Sequence, residues 1–351
     1  MKTRKIYKKL IAFILILAVL FSASVSITTA WAKGQDSLFE EDIEFARKRA
    51  ELFLKNANKD NKIEDGILAD NLLGDYEVIS FNISGGGYII VNLKDLSIPE
   101  LSFKNSNPFI GVEYPVYNGS MGYYCKLGND LISLTTNEII KVTQFDYTYC
   151  KDEIDDKQAF IEKIEEASRK RLLKAITERK LSEDLKLWYV EGGHCGPIAC
   201  ALCLRFYYDC VDRSYLKPQY MEEEELIYLM IDYTKTFWST TGTYAKDLKR
   251  GLNDYFYDMN IDNSVITVNY LDFNIIKSKI NTNRPVIVGT KNIAGYKYKN
   301  HWMVVHGYFM NREADLVEKF FIVNDGWRHN NVWINLETES QFYDSMLYFS
   351  K

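Results

Sequence analysis

The sequence predicts an α+β protein, because helical and extended patterns occur in both halves of the 351-residue chain. The residues after Cys195 carry apolar side chains at three- and four-residue steps, which is the spacing of one buried helical face. The runs at 301–308 and 320–323 are rich in β-branched and aromatic residues, as strands are. We therefore expect helices and strands to share a C-terminal domain, preceded by another domain of mixed type.

The first 32 residues have the three parts of a secretory signal. Basic residues cluster at 2–9, an apolar stretch covers 10–21, and Ala30-Trp31-Ala32 forms a small-x-small cleavage site. The apolar stretch is short for a transmembrane helix, which makes an uncleaved N-terminal anchor the weaker alternative. The sequence thus predicts a secreted protein, with no stable membrane association once the signal peptide 1–32 is removed.

Composition narrows the range of partners and cofactors. The net charge of −5 disfavours a nucleic-acid partner, because phosphates repel an acidic protein. Six cysteines in an exported chain suggest disulfides, and Cys125 could pair with Cys150. No histidine or second cysteine pair falls at zinc-ligand spacing, so a zinc site is not expected. The function predicted below implies no metal or organic cofactor.

The region from 33 to 185 is predicted to form a domain of its own. A helix is expected over 40–58, strands over 76–82, 88–92, 113–126 and 131–142, and a long charged helix over 156–180. The polar stretch at about 180–187 lacks an apolar face, as exposed linkers do. Because the region contains no candidate catalytic group, we expect a pro-domain over 33–185. A two-domain protein that is never cut is the alternative.

The region from 186 to 351 contains the candidate nucleophile. Pro197 fits the first turn of a helix, where its missing N–H is not needed. Cys195 would then lie at the helix N-terminus, where unpaired N–H groups and the helix dipole favour an ionised thiol. The alternative is a buried structural cysteine. Further helices are expected over 222–234 and 243–259, and a strand over 284–289.

Two histidines lie on the strand at 301–308, and alternation places them on opposite faces. His301 stands at the start of the strand after a polar loop, which favours a reactive base. His306 lies deep in the apolar run and is expected to be a core residue. His194 and His329 are not favoured as the base, since one adjoins Cys195 on a tight turn and the other lies in a polar loop.

The strand at 320–323 runs directly into Asn324 and Asp325. A carboxamide or carboxylate at the end of a neighbouring strand can hold the ring nitrogen of a base and select its tautomer. An ordinary turn is the alternative, because Asn-Asp-Gly also suits one.

These motifs, in this order, resemble the bacterial papain-like cysteine peptidases, near streptopain and the bacteriocin-leader-processing enzymes, over about 186–351. The matching segments are Gly193-His194-Cys195-Gly196-Pro197, Thr241-Gly242-Thr243 before Leu252-Asn253-Asp254-Tyr255, Asn300-His301-Trp302 before Val304-Val305-His306-Gly307-Tyr308, and Val323-Asn324-Asp325-Gly326-Trp327. The stretch at 81–91 resembles, more weakly, the pro-region of the streptopain group.

The resemblance implies a papain-like catalytic domain over 186–351, with a helical lobe facing a twisted antiparallel sheet. It implies a secreted endopeptidase that is made as a precursor and hydrolyses peptides or proteins. Cys195 matches the nucleophile and His301 the base. The orienting residue is Asn324 by the streptopain pattern and Asp325 by the leader-processing pattern.

One feature departs from the family pattern. No glutamine precedes the nucleophile within 188–193, and losing an oxyanion donor costs on the order of a hundredfold in rate. Two other functions stay open, and the missing glutamine supports the first of them. One is a catalytically silent binding or inhibitor protein on the same scaffold, and the other is an amidase or acyltransferase acting on cell-wall peptides.

Overall fold

The structure is a computed structural model that describes residues 39–71, 76–135, 137–142, 153–170, 177–190, 192–236, 242–291, 301–313, 316–327 and 329–351. The chain divides into two units, Met1–Phe45 and Ala46–Lys351. The predicted signal peptide and Cys150 lie outside the described residues. Among the residues that are described, none of the helices is both long and apolar enough to span a bilayer.

Helices and strands occur in both halves of the chain, as an α+β fold requires. The α-helices are α1 (39–56), α2 (Lys157–Lys170), α3 (Cys195–Cys210), α4 (Glu223–Thr234), α5 (Ala245–Asp258), α6 (Phe273–Asn281) and α7 (Leu336–Glu339). The strands of the N-terminal half are β1 (Ile63–Asp70), β2 (Tyr76–Ile83), β3 (Tyr88–Asn92), β4 (Glu100–Ser102), β5 (Pro115–Tyr117), β6 (Tyr123–Leu127), β7 (Asp130–Ser133) and β8 (Ile139–Lys141). Those of the C-terminal half are β9 (Thr177–Lys180), β10 (Val265–Val268), β11 (Val286–Thr290), β12 (Trp302–Glu313), β13 (Leu316–Asn324), β14 (Asn330–Asn335) and β15 (Tyr343–Phe349).

The strands form one continuous sheet in the order β10-β15-β11-β12-β13-β14-β4-β3-β2-β1-β5-β6-β7-β8, and β9 pairs with β12 beside this path. The pairings are antiparallel, except that β1 meets β5 in parallel through Asp70 and Val116. The apolar side chains of β12 are buried because this strand contacts β11, β13 and β9 and also lies against α3. The start of β12 is thereby held between the sheet and the helices.

Most predicted elements are present near their expected positions. The helices expected over 40–58, 222–234 and 243–259 correspond to α1, α4 and α5, and the strand expected over 88–92 is β3. Helix α6 was not predicted from the sequence. Its signal is Asp272, which caps the helix by accepting hydrogen bonds from Asn274 N and Ile275 N.

The helix expected over 156–180 was wrong in its C-terminal part. Helix α2 is described over Lys157–Lys170, and Thr177–Lys180 forms strand β9 instead of continuing a helix. This strand pairs with β12, with Lys180 opposite Gly307. Pairing with a strand distant in sequence outweighs the helical preference of the segment itself, because propensity is a weak local term.

The N-terminal and C-terminal halves meet at β4 and β14, which pair with Val332 opposite Ser102 and Ile334 opposite Glu100. A hydrophobic core with members from both halves underlies this junction. A buried ion pair between Arg49 of α1 and Glu318 of β13 adds a second connection. The sheet, the core and this ion pair therefore continue across the predicted boundary near residue 186.

Candidate active site

Cys195 is the first residue of α3, as the sequence predicts, and the tip of this helix packs tightly against the loop before α5 and against α5 itself. A Cβ atom added to Gly196 would lie 2.9 Å from Leu248 Cδ2 and 3.0 Å from Thr243 Oγ1. Glycine is thus required after Cys195 for the helix tip to approach α5 closely. This packing sets the position of the thiol relative to the sheet.

His301 immediately precedes the N-terminal end of β12. Its backbone N–H donates to Thr290 Oγ1 over 2.9 Å, and its carbonyl accepts from Thr290 N over 2.9 Å. The next residue, Trp302, donates from its indole Nε1 to Thr243 O over 2.7 Å. Since Thr243 also contacts the tip of α3, these bonds link the strand that carries His301 to the helix that carries Cys195.

The structure brings Cys195 to the same strand start. Its buried sulfur lies close enough to the backbone N–H of Trp302, the residue that follows His301, for that group to favour the thiolate. Burial raises the pKa of the Cys195 thiol to about 11, and the N–H groups of Trp302, Gly196 and Cys195 itself act in the opposite direction. The N–H groups at the helix tip thus lower the thiol pKa, as expected. In the full chain, burial has the larger effect and the pKa is raised.

The ring of His301 is held by the turn that follows β13. Its Nε2 lies 2.8 Å from the backbone oxygen of Asp325. A carbonyl oxygen only accepts, so Nε2 carries the hydrogen and Nδ1 carries the lone pair. The ring of Trp327 stacks on the imidazole with centroids 3.8 Å apart. This tautomer leaves Nδ1 as the nitrogen that can take a proton.

The side chain of Asn324 bonds within the turn and to the preceding chain. Its Nδ2 donates to Lys186 O over 2.9 Å, and its Oδ1 accepts from Gly326 N over 2.9 Å. Gly326 N belongs to the same peptide group as the Asp325 carbonyl. Asn324 therefore holds the peptide plane that bonds His301, and the acceptor itself is the main chain of Asp325.

The carboxylate of Asp325 bonds to residues of the same turn. It accepts from Trp327 N over 2.7 Å, from His329 N over 3.0 Å and from His329 Nδ1 over 2.6 Å. Sequence reasoning missed this role of His329 because it considered histidines only as bases. The available signal was a histidine four residues after an aspartate across a glycine turn.

The other histidines lie in the core. His306 is 1% exposed at a bulge in β12, and burial lowers its pKa to about 4. His194 precedes α3, where its carbonyl accepts from Ile198 N, and burial lowers the pKa of its imidazole. The burial of His306 agrees with the core position expected for it.

No disulfide joins any two of the described cysteines, which are Cys125, Cys195, Cys200, Cys203 and Cys210. The proposed partner of Cys125 lies outside the described residues. Within the part of the chain that the structure describes, no group of three or more histidine, cysteine, aspartate or glutamate side chains could hold a metal ion.

The N-terminal half forms one wall of a cavity of about 100 Å³ next to the turn that follows β13. The lining residues include Tyr88 and Tyr123 from the N-terminal half and Asp325 and His329 from the turn. Both tyrosine hydroxyls donate to Glu100, and burial raises the pKa of Glu100 to about 8. A buried polar cluster of the N-terminal half thus faces the turn across this cavity.

Comparison with known proteins identifies one similarity. No curated protein matches the chain. The model described as the Peptidase_C39 like family matches residues 178–350, a range that includes β9, Cys195, His301 and Asp325. A particular relation to streptopain stays a prediction. The C-terminal part of the chain, from β9 to β15, is thus similar to the C39-like cysteine peptidases.

Proposed function

We propose that the chain is an exported cysteine endopeptidase made as a precursor, with Cys195 as nucleophile and His301 as base. The observation that carries this proposal is the closeness of the Trp302 backbone N–H to the Cys195 sulfur, which puts the thiol beside the residue after His301. The bond from His301 Nε2 to Asp325 O supports the assignment of the base. The family match over 178–350 supports peptide hydrolysis as the reaction class.

In the proposed reaction, His301 Nδ1 takes the proton of the Cys195 thiol. The thiolate attacks the carbonyl carbon of a peptide bond, the C–N bond breaks, and His301 returns the proton to the leaving amine. Water, deprotonated by His301, then attacks the thioester, and the C–S bond breaks. His301 returns the proton that it took from water to the Cys195 sulfur, so the second step yields a carboxylic acid and restores the thiol.

The precursor proposal has support from the state of the nucleophile in the full chain. With the pKa of Cys195 at about 11, little thiolate exists near neutral pH. Tyr88 and Tyr123 of the N-terminal half line one cavity together with Asp325 and His329 of the turn that follows β13. We propose that this half restrains the site until the chain is processed. Because β9 pairs with β12 and the family match begins at 178, the catalytic part would keep Thr177–Lys180.

The test uses the purified chain from residue 33 onward, incubated with and without a thiol inhibitor. We expect inhibitor-sensitive hydrolysis of a protein substrate and new N-termini from self-cleavage. Cys195→Ala should abolish both. Cys200→Ala is the matched control, because Cys200 is a buried cysteine on the same helix with no proposed role. Equal turnover by wild type and Cys195→Ala would refute the proposal.

A catalytically silent binding protein is the second candidate, and the raised pKa of Cys195 favours it. A cysteine-directed active-site probe separates the two functions. Selective labelling of Cys195 in the processed chain supports the peptidase. Labelling no faster than that of a partly exposed cysteine such as Cys210 supports the silent protein.

A further inference from the structure

We infer that His329 is a positioning residue for the reaction: by holding the Asp325 carboxylate, it fixes the two groups that contact the His301 ring. The inference rests on the proposed function, since it concerns the base of that reaction. His329 is not itself in the machinery described above, and its ring contacts Asp325 instead of His301.

The Asp325 carboxylate is buried, with 1% of the residue exposed, so its oxygens need donors within the protein. The ring of His329 supplies the shortest of these bonds, 2.6 Å from Nδ1 to Oδ2. The backbone adds bonds from His329 N and Trp327 N, both to Oδ1. Because a carboxylate only accepts, the hydrogen must reside on His329 Nδ1. Removing that ring leaves Oδ2 without this donor.

The side chain and the backbone carbonyl of Asp325 both branch from its Cα atom. Bonds that hold the carboxylate therefore also restrain the carbonyl. The carbonyl oxygen accepts from His301 Nε2, and the N–H of the same peptide, on Gly326, donates to Asn324. Asn324 therefore holds this peptide through its N–H group, and His329 holds it through the side chain of Asp325.

The same carboxylate also positions the ring that covers His301. Its Oδ1 accepts from the backbone N–H of Trp327, and the Trp327 indole stacks on the His301 imidazole. One side chain thus fixes both a hydrogen bond and a stacking contact to the base. Displacements of about 1 Å in such groups are enough to cost up to a hundredfold in rate.

The matched pair His329→Asn and His329→Leu tests this role. Asparagine places an amide N–H close to the position of the imidazole Nδ1, whereas leucine has a similar shape and no donor. We expect His329→Leu to lower kcat about ten- to a hundredfold with KM unchanged. His329→Asn should retain kcat within about threefold of wild type, because the bond to Asp325 is kept.

A second readout reports on the base directly. In the full chain labelled with ¹⁵N-histidine, NMR distinguishes the Nε2–H from the Nδ1–H tautomer of His301. Wild type and His329→Asn should show the Nε2–H form, and His329→Leu should show a mixture. A purely structural role would lower stability without this selective change. Wild-type kcat and an unchanged tautomer in His329→Leu would overturn the inference.

Should His329→Leu fail to fold, His329→Ala with added imidazole replaces it. The His329 side chain is 42% exposed, so imidazole can reach the vacated space. Imidazole should restore both the tautomer and kcat, and failure to restore either in folded protein would overturn the inference. If the wild-type protein hydrolyses no peptide, the proposed function is refuted. The role of His329 in positioning the His301 ring is still decided by the NMR comparison of tautomers, which needs no hydrolysis.

Discussion

The Nε2 atom of His301 lies 2.8 Å from the backbone oxygen of Asp325. The acceptor that selects the tautomer of the base is thus a main-chain group, which no substitution at position 325 can delete. A neutral carbonyl stabilises an imidazolium less than a carboxylate would. Changes in Asn324 or Asp325 are therefore expected to act through the geometry of the turn.

In the unprocessed chain, alkylation of Cys195 by iodoacetamide should accelerate with pH up to about 11. Burial holds the thiol pKa near that value, and below it each pH unit raises the thiolate fraction about tenfold. Mass spectrometry of the peptide containing Cys195 measures this one residue apart from the other thiols. A plateau at neutral pH would contradict the prediction.

Removing the ring that stacks on His301 should slow turnover modestly. An aromatic pair contributes about 0.5–1.5 kcal/mol beyond its buried area, so Trp327→Ala should lower kcat about two- to tenfold. Trp327→Phe keeps a ring at the same position and serves as the control. Steady-state kinetics of the processed enzymes measures the difference, and equal kcat values for the two variants would contradict this role.

Glu100→Gln should remove a pH dependence of stability. Burial raises the pKa of Glu100 from 4.5 to about 8, so the folded protein keeps a proton that the unfolded chain releases. The free energy of unfolding should therefore fall by up to about 1.4 kcal/mol per pH unit as the pH rises from about 4.5 to about 8. The stabilising effect of the carboxyl is complete below pH 4.5 and lost above pH 8.

Urea titrations of wild type and Glu100→Gln across this window measure the difference. The exposed Glu51 supplies the control, since Glu51→Gln should leave the wild-type slope unchanged. Parallel curves for wild type and Glu100→Gln would show that the proton on Glu100 does not stabilise the fold.

The placement of Cys195 and His301 follows from short-range patterns, which is why the sequence predicted it. The proline and the apolar spacing after Cys195 define the tip of α3, and a polar loop followed by an apolar run defines the start of β12. Both signals lie within about ten residues of the position that they predict.

The atoms that hold the base could not be predicted in the same way. Asn-Asp-Gly indicates a turn, but the choice between a side chain and a carbonyl depends on how that turn is restrained. Here His329 and Trp327 engage the Asp325 carboxylate, which leaves the carbonyl to bond His301. Likewise β9 forms only because β12, more than a hundred residues later, provides a partner.

The position of β15 has a consequence for when the site can form. This last strand, Tyr343–Phe349, lies between β10 and β11, and β11 in turn flanks β12. Pairings between distant segments form late because closing long loops carries an entropic cost. The C-terminal residues must therefore leave the ribosome before β11 has both neighbours. A chain that ends before residue 343 lacks the strand with which both β10 and β11 pair, and it therefore cannot complete the sheet.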